Sequence, residues 1–282
     1  MSSAKNIMIQ GTSSSAGKSL FTAGLCRIFM KRGFKAAPFK SQNMTRNAFI
    51  IDGGKKIAGS QLVQAEAAGI EPETDMNPIL LMPNSETGSM LVIDGEDRED
   101  LQAKKYHDVK KSLIPYVENA YRRLEKDRDI IVMEGAGSPA EINLRKDDFV
   151  NMGLAHMTDA PVILIADIER GGVFASIYGT VKILDEEDSR RIKGFIINKF
   201  RGDVTILEPG IDELEERLKI PCLGVLPYEK FNIEEEDSLF DGKRGERIEE
   251  IEHREAEYDR LAEFIEEHTD IDKLMEIAGV KE

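Results

Sequence analysis

Ile7-Met8-Ile9-Gln10-Gly11-Thr12-Ser13-Ser14-Ser15-Ala16-Gly17-Lys18-Ser19 lies close to the start of the chain, and its reading decides the rest. An apolar strand leads into a run of small residues, and Gly17-Lys18-Ser19 leads into an apolar helical pattern over 18–32. The phosphate-loop pattern G-x-x-x-x-G-K-[ST] asks for glycine one position after Gly11, where this chain has Thr12. The chemistry tolerates the extra residue. Small residues at Gly11, Thr12, Ser15, Ala16 and Gly17 let backbone N–H groups curl around phosphate oxygens, and the next helix points its N-terminus at the negative charge. Lys18 is placed to reach the β- and γ-phosphates, and Ser19 to coordinate a magnesium ion. The plain alternative is a small-residue turn with a chance Gly-Lys-Ser. The strand before it and the helix after it weigh against that.

Outward from this loop, short apolar strands alternate with longer helical stretches. Strands are expected at 7–9, 36–39, 130–133, 161–165, 194–197 and 221–225. Helices are expected around 18–32, 58–69, 103–127, 148–158, 172–184 and 207–218. Most strands are nearly continuous apolar runs, as strands buried on both faces of a parallel sheet require. The expected fold is therefore α/β, a doubly wound and mostly parallel sheet. Ligands in such a fold sit at the carboxyl ends of the strands.

Charge divides the chain. Of 282 residues with a net charge of −15, the last 54 hold 20 acids and 8 bases, whereas the first 228 hold 33 and 30. The shift marks a boundary near Tyr228. Three parts are expected: a nucleotide-binding domain over 1–228, an acidic linker over 229–247 and a helical tail over 248–282. In the tail, Tyr258, Leu261 and Ile265 share one helix face, and Thr269-Asp270 can cap a second short helix. The acidic balance argues against nucleic acid as the main partner. No run approaches the roughly 18 apolar residues of a membrane helix, and no signal-peptide core precedes the first strand, so the cytoplasm is the expected location. Cys26 and Cys222 stand far apart and offer neither a disulfide framework nor a metal site.

The strand ends carry the candidate chemistry. Glu134 follows Ile130-Ile131-Val132-Met133, where a phosphate-loop enzyme needs a carboxylate for its metal. Asp167 ends the next strand, as a group orienting substrate or metal, or equally as a helix cap or the partner of an arginine. Asn198 ends the strand after that. Its amide has the donor and acceptor to read a nucleobase edge, although a turn-forming asparagine is the plainer reading. His107, His156, His253 and His268 are scattered among helical patterns and read as structural or solvated.

Several longer motifs resemble one family. They are Pro38-Phe39-Lys40-Ser41-Gln42-Asn43-Met44, Gln64-Ala65-Glu66-Ala67-Ala68-Gly69, Met76-Asn77-Pro78, Glu134 through Leu144, Asp167 through Ala175, and Asn198 through Asp203. With the lengthened loop, which is similar to that of dethiobiotin synthetase and its amidoligase relatives, they resemble the synthetase part of cobyric acid synthase over roughly residues 5–228. The resemblance implies ATP and Mg²⁺ as cofactors and a corrinoid substrate, adenosylcobyrinic acid a,c-diamide, whose carboxylates become amides through acyl phosphates. It implies catalytic roles for Lys18, Lys40, Asp148 and Asp167. It implies nucleotide contacts at Asn198 and the loop, and metal contacts at Ser19 and Glu134. Lys40, Gln42 and Asn43 are expected to line the activation site.

Members of that family carry a glutaminase with a nucleophilic cysteine, and no such stretch is seen between the body and the tail. The tail itself resembles the segment that follows the glutaminase. Ammonia, or a separate glutaminase subunit, is therefore the expected nitrogen source. His253 and Glu255 read as a solvated helix face. A homo-oligomer is compatible with the sequence. Three other readings stay open. A nucleotide-switch ATPase of the partition or metal-carrier type usually has a second lysine early in the loop, which Thr12–Ala16 lacks. A dethiobiotin synthetase lacks the Ser138–Leu144 stretch. A non-catalytic partner is disfavoured by intact Lys18, Ser19 and Glu134.

Overall fold

The computed structural model describes residues 4–46, 48–84, 88–233 and 248–281. β1 (Lys5–Gly11) runs into the phosphate loop and α1 (Lys18–Lys31). β2 (Ala36–Phe39), β3 (Gln42–Met44), the hairpin β4 (Ala48–Ile51) and β5 (Lys55–Ala58), and α2 (Gly59–Ala67) follow. The meander β6 (Ile79–Pro83), β7 (Gly88–Ile93) and β8 (Glu96–Gln102) leads to α3 (Ala103–Leu124). The second half alternates: β9 (Ile130–Glu134), α4 (Met152–Met157), β10 (Val162–Asp167), α5 (Val173–Ile183), α6 (Glu186–Arg191), β11 (Ile192–Phe200), α7 (Glu208–Leu218) and β12 (Cys222–Pro227). α8 (Ile248–His268) and α9 (Ile271–Ala278) complete the described chain. Among the described residues no helix is long and apolar enough to cross a membrane.

The six expected strands form one parallel sheet, in the order β12-β11-β10-β1-β9-β2. Its alternation is visible residue by residue. Met8, Ile131, Met133, Leu164, Phe195 and Ile197 enter the core on one face, with side chains of α3, α4, α5 and α7. Ile7, Ile9, Val132, Ile163, Ile165 and Ile196 enter the core on the other, with α1, α8 and α9. Period 2 along strands covered on both sides makes each strand apolar throughout. From β1 the chain crosses first toward β2 and later to β10, so β1 stands where the winding direction changes, and the phosphate loop lies at its carboxyl end.

Residues 42–102 depart from expectation. Only the helix near 58–69 is anticipated there. The segment also builds a four-stranded sheet, β3-β6-β7-β8, and the two-stranded β4-β5 hairpin. β3 pairs with β6 in parallel, and the remaining ladders are antiparallel. These strands sit in a smaller layer, and β8 reads Glu-Asp-Arg-Glu-Asp-Leu-Gln, so no continuous apolar run marks them.

The tail is packed into the sheet's second face. Tyr258, Leu261 and Ile265 are each about 1% exposed and lie in the same core as α1. Gly24 in α1 allows the approach, because a Cβ there would come within 2.2 Å of Ile265 Cδ1 and 3.2 Å of Leu261 Cγ. Flanking charges follow the same seam. Arg27 pairs with Glu255 at 2.7 Å and Asp259 at 2.9 Å, and Arg32 with Glu266 at 3.0 Å. Asp270 caps α9 by accepting from Lys273 N at 2.8 Å. The acidic run of the expected linker, 234–237, lies outside the described residues, as does the side chain of His107.

Candidate active site

The phosphate loop begins as an extension of the sheet. Gly11 pairs with Ile165, and Thr12 N donates to Ile165 O at 2.9 Å. Lys18 then folds back across Gly11. A Cβ on Gly11 would meet Lys18 Nζ at 3.0 Å and Ser13 O at 2.8 Å, which explains a glycine at this early position. Lys18 Nζ donates to Ser13 O at 3.1 Å and Gly137 O at 3.2 Å. Gly17 precedes α1 at φ +99°, a left-handed conformation suited to glycine, and a Cβ there would strike Asn198 Nδ2 at 2.1 Å.

Behind the loop, Glu134 ends β9 fully buried. Its Oε1 accepts from the Ser19 hydroxyl at 2.7 Å and from Lys40 Nζ at 2.9 Å, and its Oε2 from Gln64 Nε2 at 2.7 Å. Burial alone raises the pKa of such a carboxyl. Lys40 beside it, the Ser19 hydroxyl and the charge of Lys18 outweigh that and hold it below the ordinary carboxylate range. A relay of buried amides continues inward. Gln64 accepts from Gln61 at 3.3 Å, and Asn43 Nδ2 donates to Gln61 Oε1 and Ser60 Oγ, both at 2.9 Å. Asn77 Nδ2 donates to Lys40 O at 3.0 Å, which fixes the Lys40 backbone.

A second set of contacts holds the loop from outside. Lys199, at φ +62°, donates to Ser15 O at 2.8 Å and to Asp167 Oδ2 at 3.0 Å. Asn198 Nδ2 donates to Ala16 O at 2.9 Å, and its Oδ1 accepts from Lys199 N at 2.8 Å. Both ends of the Asn198 amide are thus engaged with backbone. Asp167 Oδ1 accepts from Glu169 N at 2.8 Å. Carbonyls of Ser15 and Ala16 are held by this set.

Lys18, Ser19, Lys40 and Glu134 come together as one cluster, while Asn198 bonds the loop directly and Asp167 is joined to it through Lys199. Asp148 is engaged elsewhere. Its Oδ1 accepts from Val150 N at 2.9 Å and Asn151 N at 3.2 Å, and its Oδ2 from Gly153 N at 2.8 Å. Three backbone donors tie this carboxylate to the entry of α4. Sequence reasoning missed Gln61 and Gln64 as site residues, and Lys199 as a brace. The i, i+3 spacing of Gln61 and Gln64 puts both on one face of α2, the signal available in advance.

The residues fit a nucleotide and its metal ion. Gly11 and Gly17 leave a cradle that a Cβ at either position would fill. Ser19 and Glu134 offer hard oxygen donors that already converge at 2.7 Å. Magnesium is commonly held by one or two carboxylates together with phosphate oxygens.

A phosphate loop at the carboxyl end of β1, with an acidic strand end beside it, defines a P-loop nucleotide-binding protein. The chain belongs to the CobQ/CobB/MinD/ParA nucleotide binding domain family, whose profile matches residues 7–239. It is 58% identical over 240 residues to a cobyric acid synthase of Lachnoclostridium phytofermentans, covering 84% of this chain and 47% of that protein. A cobyric acid synthase of Listeria welshimeri is 55% identical over 235 residues, covering 83% and 46%. One of Alkaliphilus metalliredigens is 50% identical over 277 residues, covering 97% and 54%. The resemblance read from the motifs is borne out, and the chain spans about half the length of the curated relatives it matches.

Proposed function

We propose that this chain forms amides on carboxylates of a corrinoid, taking adenosylcobyrinic acid a,c-diamide toward cobyric acid, with ATP as the activating substrate. The observation that carries the reading is the buried convergence of Ser19, Lys40 and Gln64 on Glu134, directly behind Lys18. A carboxylate is a poor electrophile and hydroxide a poor leaving group, so activation must come first. Substrate carboxylate oxygen attacks the γ-phosphorus, ADP leaves, and an acyl phosphate results. Lys18 stabilises the charge that develops on the transferring group. Ser19 and Glu134 would hold Mg²⁺, which would neutralise phosphate charge. Lys40 keeps Glu134 ionised and oriented, and Asn198 and Lys199 fix the loop from the far side. Ammonia, free or released by a glutaminase, then displaces phosphate.

The test is to incubate the chain with ATP, Mg²⁺, ammonium and the a,c-diamide, and to weigh the corrinoid products. Each replacement of OH by NH₂ lowers the mass by about one unit. ADP release with no mass change would favour a nucleotide-switch ATPase instead.

A further inference from the structure

Two buried amide oxygens near Lys18 have no hydrogen-bond donor among the described residues. They are Gln10 Oε1 and Asn151 Oδ1. Gln10 is 0% exposed and Asn151 6%. The opposite end of each amide fixes which way it points. Asn151 Nδ2 donates to Ala136 O at 2.6 Å, so its oxygen must face away from that carbonyl. Gln10 Nε2 faces the thioethers of Met8 at 3.3 Å and Met152 at 3.9 Å. Sulfur lone pairs accept weakly from an NH₂ and repel a carbonyl, so Gln10 Oε1 is the end left over.

Both side chains close on Gly135, the residue after Glu134. A Cβ at Gly135 would lie 2.3 Å from Asn151 Oδ1 and 3.1 Å from Gln10 Cγ. The position is adjacent to the reacting end of the nucleotide site. Ala136 O, which holds Asn151, neighbours Gly137 O, which accepts from Lys18 Nζ at 3.2 Å. Gln10 itself immediately precedes Gly11 of the phosphate loop. Buried acceptors are nearly always paired in folded proteins, and two orphans on side chains that both meet Gly135 call for a missing donor.

The geometry points to Gln10 and Asn151 as the seat of the nitrogen nucleophile, where two amide oxygens accept two N–H bonds of one ammonia molecule. The assignment rests on the amide-ligase reading above. Two accepted N–H bonds leave the nitrogen lone pair free and fix its direction. Neutral ammonia fits better than ammonium, because the surroundings are two uncharged amides and two thioethers with the Lys18 cation nearby, and a buried charge needs a counter-charge. In the step this serves, the lone pair forms the C–N bond to the acyl carbon. The C–O bond to phosphate breaks, phosphate leaves with that electron pair, and one N–H proton passes to it. Acyl phosphate plus ammonia thus becomes amide plus hydrogen phosphate.

The experiment uses the full chain with ATP, Mg²⁺, the a,c-diamide and ammonium chloride, in wild type, Gln10→Met and Asn151→Ala. Gln10→Met keeps the side-chain length and the contact with Met8 and Met152. Folding is checked by ATP affinity within twofold of wild type. Loss of one hydrogen bond to the nucleophile should raise KM for ammonium tenfold or more, and should raise the ratio of ADP formed to amide formed, because acyl phosphate then goes to water. Dimethylamine supplies the second readout. It keeps a single N–H and can satisfy only one of the two oxygens, so wild type should prefer ammonia over it by a factor that shrinks in both variants. A merely structural role would leave that preference unchanged. If wild type makes amide while a folded variant keeps its ammonium KM within twofold and its preference for ammonia, the site holds an ordered water and the assignment is wrong. If Gln10→Met fails to fold, Asn151→Ala alone decides on the same criteria. If wild type makes no amide from ammonium, the amide-ligase reading falls, and this assignment with it.

Discussion

Lys40 and Glu134 form a buried ion pair, Nζ 2.9 Å from Oε1, with side chains 5% and 0% exposed. Such a pair costs desolvation to bury, yet removing one member strands the other. Lys40→Met should therefore destabilise the fold by about 3–5 kcal/mol, and adding Glu134→Gln should recover much of it. Urea unfolding of the two single variants and the double variant checks this. The pH dependence has a definite sign. Glu134 has its pKa lowered in the folded state, so its contribution is complete above the ordinary glutamate value of about 4.3 and disappears as pH falls through the lower folded value.

Lys18→Ala should leave the fold intact and cut ATP turnover by a factor on the order of 10² or more. Lys18 Nζ donates to Ser13 O and Gly137 O, and when it is removed the buried Glu134 keeps its bonds from Ser19, Lys40 and Gln64. Turnover near wild type in a folded Lys18→Ala protein would refute the role given to this lysine.

Asp148→Asn tests what the three backbone donors around that carboxylate are for. An amide has one oxygen, so the substitution turns an NH₂ toward backbone N–H groups at one of the two sites. A stability loss of about 1–3 kcal/mol is expected from an unsatisfied or opposed donor. Amidation should also fall more than ATP affinity, as α4 and Asn151 shift. Thermal melts and ATP titration separate the two effects, and an unchanged melting temperature would contradict the geometry.

The six strands of the parallel sheet were legible because burial on both faces leaves a continuous apolar run, as in Val162–Ala166. The smaller sheet was not. Glu96–Gln102 is a strand by virtue of its ladder with β7, and its charged sequence says nothing of that. In the site, Lys18, Ser19 and Glu134 follow from loop chemistry and strand ends. Gln64 does not, because a glutamine on a helix reads as solvated until Glu134 is known to need a donor. Lys199 escapes for a different reason. Its reach to Ser15 O depends on a left-handed backbone at β11, which neighbouring apolar residues do not foretell.

Gly24→Leu should loosen the tail. The added side chain starts 2.2 Å from Ile265 Cδ1 and 3.2 Å from Leu261 Cγ, so the α1–α8 seam must shift to admit it. Overpacking of this kind costs about 1–3 kcal/mol, concentrated at one seam. Limited proteolysis should then cut within 248–278 faster than in wild type. Deleting 247–282 outright should lower stability and solubility, since it uncovers Phe21, Leu25 and Phe29 of the core that Tyr258, Leu261 and Ile265 share. Unchanged solubility and melting after that deletion would refute a packing role for the tail.

The last prediction concerns which nitrogen source this chain can use by itself. Glutamine hydrolysis by a cysteine enzyme needs a thiolate with a base beside it. Burial raises the Cys26 thiol far above its ordinary value, and the nearby Glu134 charge raises it further. Burial likewise pushes Cys222 up to about 11, a backbone hydrogen bond with Gly224 pulling the other way. Cys26 is enclosed in the core of α1, and Cys222 donates to Gly224 O at 3.5 Å at the start of β12. His156 is held between Asp188 at 2.6 Å and Arg191 at 3.0 Å, and His268 Nδ1 lies 2.8 Å from Phe264 O, so these imidazoles are committed elsewhere. Near neutral pH both cysteines remain thiols. The chain alone should therefore release no glutamate from glutamine, while ammonium supports amide formation. At fixed total ammonium the rate should rise with pH, because only the neutral form carries a lone pair. A glutaminase added in trans should restore glutamine use. Glutamate release by the purified chain that is lost in Cys26→Ser or Cys222→Ser would show that one of these thiols is reactive after all.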